Sequence, residues 1–296
     1  NLSLMKSKLI LGTVQFGLNY GINNTIGKMS EDKVFELLEN AYELGVRTLD
    51  TAEAYGNAHS IISNFHKQSK KRFNIISKYS SSNFDYPIDL VERIQVHCSN
   101  FNVNYLEGYM FHSYNDFKMN INNDPNVLEN IKNSGLVKKI GVSVYSNDEI
   151  EDLLNFKNIN LIQLPFNLFD NEYQRKEILE KVKKRNIEIH TRSAFLQGLF
   201  FKDINTLTNC LLPLKNNLSE LSLILKNNNI SIESLALNYP LNKTYVDKVL
   251  IGVDSLEQLK NNIKATENQL DKSIYEKIDC IQIKNTKLLN PSNWKI

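Results

Sequence analysis

Polar and titratable side chains stand directly after several short apolar segments of this 296-residue sequence. Three of them are a carboxylate, an ammonium group and an imidazole, at Asp50, Lys78 and His112. Each has an ordinary structural explanation: an aspartate that caps a turn, a lysine that extends to solvent, or a hydrogen-bonded histidine. Three further segments carry a polar residue at or near their end: Ser143, Gln163 and Ser193. If the fold gathers all six at one edge, they can bind a polar ligand and move a proton.

Eight short segments rich in Ile, Val and Leu alternate with longer stretches of helical period. The segments cover residues 8–12, 46–50, 73–78, 106–112, 138–143, 161–165, 187–191 and 246–252. Each is a nearly continuous apolar run, as expected of parallel strands that are buried on both faces. The alternation therefore predicts eight strand–helix units.

Capping signals mark the helices between these segments. Ser231 stands where an N-cap is expected, and Asp124 followed by Pro125 predicts another helix start. The sequences at 146–149 and 255–258 both match a capping box. Further helices are expected between residues 207 and 240, in two pieces, and near residues 271–280.

Eight such units predict an α/β fold, a single (β/α)8 TIM barrel that spans residues 1–296. An open Rossmann-type sheet is the alternative, but no Gly-x-Gly-x-x-Gly follows any strand. A barrel places the C-terminal ends of its strands at one rim, so the six polar residues should converge there.

The chain begins with Asn, and we expect Met5 to be the native start, with residues 1–4 a remnant of expression.

The composition excludes several classes of function. Lys and Arg number 35 and Asp and Glu 33, and this net charge of +2 gives no electrostatic reason to expect nucleic acid or an anionic membrane as a partner. No apolar run approaches the roughly 20 residues needed to cross a bilayer. The three cysteines form no Cys-x-x-Cys pair, which argues against structural zinc or a disulfide framework and fits a reducing cytoplasm. No metal site is predicted.

The sequence resembles the aldo-keto reductase family over nearly its whole length. The most specific segment is Asp-Thr-Ala-Glu-Ala-Tyr-Gly at residues 50–56, and Ile-Ser-Lys at 76–78 and Met-Phe-His at 110–112 follow it in order. Leu-Gly-Thr-Val-Gln-Phe-Gly at 11–17 and Ile-Gln-Leu-Pro-Phe-Asn at 162–167 match as well. The resemblance implies a (β/α)8 barrel that binds a nicotinamide dinucleotide without a Rossmann fold and reduces carbonyl compounds.

Four residues would carry the chemistry, in roles that the resemblance implies. Carbonyl reduction needs a hydride at carbon and a proton at the developing alkoxide, and Tyr55 is the candidate acid. Because an unperturbed tyrosine titrates at about 10, we expect the Lys78 ammonium to lower the pKa of Tyr55 toward neutrality. Asp50 would pair with Lys78, and a neutral His112 would donate a hydrogen bond to the carbonyl oxygen. Tyr55 could instead be an aromatic that only packs at the rim.

By the same resemblance, the dinucleotide would lie along the other strands. Ser143 and Gln163 would hold the nicotinamide carboxamide, and Gly12 and Thr13 would border its ribose. The other cofactor-binding candidates are Arg192, Ser193 and Leu196 along the nicotinamide and pyrophosphate, and Gly252, Ser255, Gln258 and Asn262 toward the adenosine.

Three positions depart from the pattern of the family. Val144 follows Ser143 where many relatives have Asn, which removes one hydrogen bond to the carboxamide. Arg192 stands where relatives often have an aromatic that stacks on the nicotinamide; a guanidinium can also stack on a planar ring, although less favourably on an oxidised, cationic one. Segment 252–258 holds no Lys or Arg for a 2′-phosphate, and Gln258 stands where an Arg is frequent. The resemblance favours NADP, and free backbone amides at the start of the following helix could bind its 2′-phosphate. The lack of a cation in segment 252–258 leaves NAD possible.

Loops after the strands would select the substrate, a small-molecule aldehyde or ketone. The glycine-rich loop at 17–24 looks like loops of bacterial members that occur with sugar and surface-polysaccharide pathways, so a sugar derivative is one candidate. Its Asn19, Asn23 and Asn24 could bind hydroxyl groups or simply form a solvated turn. We expect two or three pocket walls among the aromatics Phe16, Tyr20, Tyr79, Phe84, Tyr114, Tyr145 and Phe166.

A second class of function stays open, a non-catalytic regulatory subunit that binds a nicotinamide dinucleotide on the same barrel. Such a subunit would not need the proton donor, so the complete set of four candidate residues favours an enzyme. The sequence predicts no oligomeric state.

Overall fold

Eight parallel strands form the centre of the computed structural model, which describes residues 7–20, 27–83 and 88–294. They are β1 Leu9–Gly12, β2 Thr48–Asp50, β3 Asn74–Tyr79, β4 Gly108–Phe111, β5 Ile140–Ser143, β6 Leu161–Pro165, β7 Glu188–Arg192 and β8 Lys248–Ile251. Each strand pairs with its neighbour in sequence, and β8 pairs back onto β1, so the sheet closes. The predicted TIM barrel is confirmed, and every strand lies within its predicted segment or extends one residue beyond it.

Helices connect the strands on the outside of the barrel. The described residues form α1 Val14–Gly17, α2 Glu31–Glu43, α3 Ala58–Gln68, α4 Leu90–Phe101, α5 Tyr114–Asn123, α6 Val127–Asn133, α7 Asn147–Leu153, α8 Glu172–Lys184, α9 Lys215–Asn228, α10 Ile232–Leu241, α11 Leu256–Ala265 and α12 Lys272–Asp279. Short 3-10 turns at Leu196–Phe201, Ile204–Thr206 and Leu212–Leu214 lie between β7 and α9. No helix of the described ranges is long and apolar enough to cross a membrane.

Side-chain caps set several of these boundaries as predicted. Ser146 begins α7 with a reciprocal capping box to Glu149, and Ser231 caps α10. Ser255 caps α11 by accepting from the Gln258 amide. The capping box predicted at 255–258 is therefore only half formed, because Gln258 Oε1 accepts from the amide of residue 254 instead of that of Ser255.

The helix predicted to start at Asp124 starts later, so that prediction was wrong. Asp124 ends α5, and its carboxylate accepts from the Asn126 amide at 2.9 Å. Asn126 is the residue that begins α6. Pro125 thus lies in a tight turn between two helices, where its fixed φ suits the turn as well as it would suit a first helical position.

Side chains inside the barrel lie in successive layers, because every second residue of a strand points to the same face. Ile10, Ile76, Met110 and Leu161 form a separate buried cluster, with Leu250 packed against it. This lower layer fills the barrel below the rim. Two residues further along the strands lies the rim-facing layer, which consists of Gly12, Asp50, Lys78, His112, Ser143, Gln163, Arg192 and Gly252.

Candidate active site

The rim-facing layer of the barrel lines one cavity of about 540 Å³. The predicted site residues that line it are Gly12, Thr13, Asp50, Tyr55, Lys78, His112, Ser143, Gln163, Arg192, Ser193, Gly252, Gln258 and Asn262. Leu196 and Ser255 do not line it: the Leu196 side chain is fully buried, and the Ser255 hydroxyl caps α11. The strands thus bring the expected residues to one rim, and the cavity continues from there over the loop after β7 to α10 and α11.

A buried ion pair lies at the base of the cavity. Lys78 Nζ donates to Asp50 Oδ1, and both side chains are 2% exposed. Asp50 Oδ2 accepts from Gln163 Nε2 at 2.8 Å, and the Asp50 carbonyl accepts from the Thr13 hydroxyl at 3.0 Å. Burial lowers the pKa of Lys78, and the charge of Asp50 opposes this shift. Asp50 is therefore the group that favours a charged Lys78 at this depth.

Tyr55 lies in the loop between β2 and α3, and close backbone contacts fix that loop. The Glu53 amide donates to the Lys78 carbonyl at 3.1 Å, and the Tyr55 amide donates to the Ala52 carbonyl at 3.0 Å. Gly17 approaches so closely that a Cβ there would lie 1.8 Å from the Tyr55 carbonyl oxygen. Any side chain at position 17 would therefore displace the loop that carries Tyr55.

Tyr55, Lys78 and His112 lie beside each other above this base. The Lys78 ammonium is 5.6 Å from the centre of the Tyr55 ring, and the ring centres of Tyr55 and His112 are 5.6 Å apart. Burial, assisted by the charge of Lys78, lowers the pKa of His112 to about 4. The imidazole is therefore neutral at neutral pH and can donate one hydrogen bond into the cavity.

The prediction that Lys78 lowers the pKa of Tyr55 was wrong. Burial, followed by the negative charge of Asp50, raises the pKa of Tyr55 above its ordinary value. Lys78 does not offset this because its charge is already balanced by Asp50, and Arg192 is the cation that acts in the opposite direction. Tyr55 consequently stays protonated through the neutral range.

A buried carboxylate supports the Tyr55 loop from outside the barrel. Glu53 Oε1 accepts from Arg93 Nε at 2.9 Å and lies 3.0 Å from His97 Nε2. Both partners belong to α4, and the Glu53 side chain is 2% exposed. The motif at residues 50–56 contains Glu53 without indicating a role for it, yet its ion pair ties the loop to α4 of the next strand–helix unit.

Arg192 lies on the other side of the cavity. Its guanidinium carbon is 4.3 Å from the centre of the Tyr145 ring, and Nη2 donates to the Val144 carbonyl at 3.3 Å. The Tyr145 carbonyl in turn accepts from Arg175 Nη2 at 2.6 Å, and Arg175 pairs with Asp170. No carboxylate pairs with Arg192 within the described ranges.

The far end of the cavity is formed by the starts of α10 and α11. Gln258 Oε1 accepts from the Asp254 amide at 2.8 Å, so this side chain bends back onto its own loop. Glu233, in the first turn of α10, lines the same end. In the described lining, the Lys and Arg residues are Lys78 and Arg192, and both belong to the rim-facing layer.

Comparison with known families decides what kind of protein carries this cavity. The sequence model described as "Aldo/keto reductase family" matches residues 8–283, which is most of the chain. The chain belongs to the aldo-keto reductase family. It is therefore an NAD(P)H-dependent oxidoreductase, and the family implies the reduction of small-molecule carbonyl compounds.

Individual aldo-keto reductases are similar to this chain at low identity. "Uncharacterized oxidoreductase YqkF" of Bacillus subtilis is 24% identical over 258 residues, which are 79% of this chain and 82% of the relative. "NADH-specific methylglyoxal reductase" of Escherichia coli is 22% identical, over 88% of this chain and 89% of the relative. The holo form of aldo-keto reductase AKR11C1 from Bacillus halodurans matches with a TM-score of 0.71 and 19% identity, covering 93% and 91% of the two chains. This last likeness shows the fold.

Aldo-keto reductases use a nicotinamide cofactor, and the cavity has polar groups that fit one. The Ser143 hydroxyl has no hydrogen-bond partner among the described residues, and Gln163, whose amide nitrogen is held by Asp50, keeps its amide oxygen for a ligand. One donor and one acceptor match the oxygen and the NH2 of a carboxamide. Gln15 Oε1 is buried without a partner, and a Cβ at Gly252 would lie 2.6 Å from Gln15 Nε2. The Gln15 side chain thus packs on Gly252, and its unpartnered oxygen fits a polar ligand in the cavity.

Several cavity residues come from places that the strand pattern does not mark. Gln15, Phe195, Gln197, Phe201 and Glu233 line the cavity from α1, from the loop after β7 and from α10. In that loop the backbone is left-handed at positions 193 and 196–198, which turns Phe195 and Gln197 toward the cavity and residue 196 into the core. The Gln-Gly pair at 197–198 is the one sequence signal that could have indicated this turn.

Two of the expected aromatics, Tyr20 and Tyr145, line the cavity. Gln197 Nε2 donates to the Tyr20 hydroxyl at 2.9 Å, so the loops after β1 and β7 meet at the opening. The aromatics Phe16, Tyr79, Tyr114 and Phe166 do not line it, and neither does Asn19. Residues 1–4, Asn23, Asn24 and Phe84 lie outside the described ranges.

Proposed function

We propose that the protein reduces an aldehyde or a ketone to an alcohol, with Tyr55 as the proton donor and NADPH or NADH as the reductant. The observation that supports this most directly is the convergence of Tyr55, Lys78 and His112 on one side of the cavity. Ser143 and Gln163 face them with a free donor and a free acceptor. One side can supply a proton while the other holds a carboxamide.

The reaction divides between the cofactor and the chain. The bound dinucleotide supplies a hydride to the carbonyl carbon. Tyr55 gives its phenolic proton to the carbonyl oxygen as negative charge develops there, and His112 donates a hydrogen bond to the same oxygen. Lys78 balances the negative charge of Asp50, which would otherwise oppose the formation of the phenolate more strongly, and Arg192 is the cation that favours it. The raised pKa of Tyr55 keeps the proton in place until the substrate oxygen becomes the stronger base.

Both NADP and NAD are compatible with the far end of the cavity. The family resemblance favours NADP, whereas Asp254, Gln258 and Glu233 offer no cation to a 2′-phosphate. Because a bidentate Arg–phosphate pair is absent, we expect a preference of about 10- to 100-fold at most between the two. One relative, which is 22% identical, is named for NADH and methylglyoxal, and this name supports NADH as a possible reductant for this chain as well.

The substrate that we propose is a small polar carbonyl compound, with a sugar derivative as one candidate. Tyr20, Gln197 and Arg192 place hydroxyl, amide and guanidinium groups along the cavity, and these can bind hydroxyl or oxo groups of a substrate. The name of the methylglyoxal reductase points to the same class of small oxygen-rich aldehydes.

The test is a cofactor titration followed by a panel of carbonyl compounds. The purified protein should bind NADPH or NADH and oxidise it in the presence of methylglyoxal, glyceraldehyde, an aldose or an aromatic aldehyde. The polar compounds should have the higher kcat/KM. Tight binding of the dinucleotide without turnover of any compound would contradict the proposal and would favour a non-catalytic regulatory subunit.

A further inference from the structure

We propose that Arg192 makes the active site bind the reduced dinucleotide more tightly than the oxidised one, because its guanidinium lies against the nicotinamide ring. The inference rests on the proposed function, since the ring must lie at the rim-facing layer of the barrel. It concerns a position at which this chain departs from the aromatic that the family resemblance implies.

The reactive groups and the amide-binding groups limit where the ring can lie. Its reacting carbon must approach a carbonyl that Tyr55 protonates, and its carboxamide matches the donor of Ser143 and the acceptor of Gln163. These residues belong to the loop after β2 and to β5 and β6. The ring therefore extends between the two groups, across the top of the rim-facing layer.

β7, which carries Arg192, is the neighbour of β6, which carries Gln163. β7 contributes Arg192 to this layer, and the following strands, β8 and β1, contribute Gly252 and Gly12. The Gln15 side chain covers Gly252 and the Leu250 side chain packs beside Gly12, so on this flank a ring held by Ser143 and Gln163 meets Arg192 first. The guanidinium at the neighbouring position then forms one wall of its binding site.

The guanidinium is held flat and has an uncompensated charge. The guanidinium carbon lies 4.3 Å from the centre of the Tyr145 ring, so one face of the group is covered. The hydrogen bond from Nη2 to the Val144 carbonyl fixes one edge of the group. A guanidinium can stack on both faces, and Arg192 lines the cavity. Lys78, by contrast, has its charge balanced by Asp50.

This charge distinguishes the two redox states of a ligand. The reduced ring is neutral, and it stacks on a cation without repulsion. When the hydride passes to the carbonyl carbon with its electron pair, and the Tyr55 proton passes to the oxygen, the ring is left with one positive charge. Two like charges a few ångströms apart repel even in a partly solvated site. Arg192 thus favours reduction and release of the oxidised dinucleotide.

The test compares dissociation constants and needs no turnover. Wild type, Arg192→Gln and Arg192→Lys are titrated with the oxidised and the reduced form of whichever dinucleotide, NADP or NAD, binds more tightly. Arg192→Gln keeps a planar group but removes the charge, so the ratio of the oxidised to the reduced Kd should fall about tenfold. Arg192→Lys keeps the charge, and its ratio should stay within about twofold of wild type.

The controls separate this inference from other roles of Arg192. Glu233→Gln changes a charge at the far end of the cavity and should alter both constants by one common factor. If Arg192→Gln weakens both redox forms equally, Arg192 binds another part of the ligand, such as the pyrophosphate, and the inference is overturned. A protein that shows the expected ratio but reduces no carbonyl would keep this inference and lose the proposed function.

Discussion

The two sides of the cavity differ in how completely their polar groups are paired. On the side of β2 to β4, Asp50 and Lys78 satisfy each other, and Glu53 holds the Tyr55 loop from outside. On the side of β5 to β8, the Ser143 hydroxyl has no hydrogen-bond partner and the Arg192 charge has no carboxylate partner in the described ranges. The first side is thus preorganised without a ligand, whereas the second side is completed by one.

The same division separates what matches the family from what departs from it. The resemblance extends to all four candidate catalytic residues, which lie on the first side. The departures, at Val144, Arg192 and Gln258, lie on the second side. Proton transfer tolerates little change in geometry, while the contacts to a large cofactor can be redistributed among many groups. The comparison predicts that substitutions on the first side affect turnover and those on the second side affect binding.

Breaking the ion pair should have the largest effect. Lys78→Met leaves the Asp50 charge buried without a partner, which costs about 3–5 kcal/mol of unfolding free energy. Turnover should fall on the order of 10²-fold or more, and the pH profile should shift, since the unbalanced charge of Asp50 raises the pKa of Tyr55 further. Urea unfolding and steady-state kinetics measure the two effects.

The control for this change is the double variant Asp50→Asn with Lys78→Met. It removes both charges, so it should recover much of the stability and none of the activity. A single Lys78→Met variant with normal stability and an unchanged pH profile would reject the pairing.

Acidification should lower the free energy of unfolding through His112, on the first side, and through His59, a residue of α3. Burial lowers the pKa of His59 to about 3 and that of His112 to about 4, from 6.5 in both cases. Below about pH 6.5 the unfolded chain binds protons that the folded chain does not, so the free energy of unfolding falls as the pH falls toward 4. Between pH 7 and pH 5 the loss should be about 1–2 kcal/mol for each histidine.

Urea midpoints at the two pH values measure this loss. His59→Gln removes one of the two groups and should reduce the difference between the midpoints. A protein that becomes more stable on acidification would contradict the lowered pKa values.

Loosening the Tyr55 loop should have a smaller effect on turnover. Glu53→Ala removes the partner of Arg93 and should lower kcat about tenfold by misplacing Tyr55, with no change in the dinucleotide Kd. Glu53→Gln keeps an oxygen that can accept from Arg93 and should restore most of the activity. Equal losses in kcat and in dinucleotide affinity would indicate general damage to the fold instead.

The smallest expected effect is on cofactor choice. Gln258→Arg supplies a cation near the start of α11 and should raise the affinity for NADPH about tenfold or less, without changing that for NADH. Gln258→Met, which frees the Asp254 amide in the same way but adds no charge, is the matched control. If the wild type already prefers NADPH by about a thousandfold, a cation elsewhere, such as Lys260, must reach the 2′-phosphate.

The strands and the rim-facing layer could be predicted because a buried parallel strand is a continuous apolar run with a fixed two-residue period. Once Lys78 is placed at the end of β3, the same geometry places Ser143 and Gln163 on the same rim. The walls of the cavity could not be predicted in this way. Glu233 reaches it from a helix about forty residues beyond Ser193, and only the closed barrel brings the two together.

The electrostatics also needed the structure. The sequence indicates that Lys78 and Tyr55 are close, and a cation near a phenol normally lowers its pKa. The pKa of Tyr55 depends instead on its burial and on the position of Asp50, which no spacing in the sequence contains. The prediction of a helix start at Asp124 failed for a similar reason. The sequence does not show whether an aspartate at this position caps the start of one helix or follows the end of another.

Tyr55→Phe tests the division between the two sides most directly. The NADPH and NADH dissociation constants and the rate of a single turnover with the best carbonyl compound are measured for wild type and variant. The rate should fall on the order of 10²-fold or more, since the phenylalanine has no proton to give, while both dissociation constants stay unchanged. A variant that keeps most of its single-turnover rate would show that Tyr55 is not the proton donor. A variant that loses its dinucleotide affinity would show that the two sides are not separate.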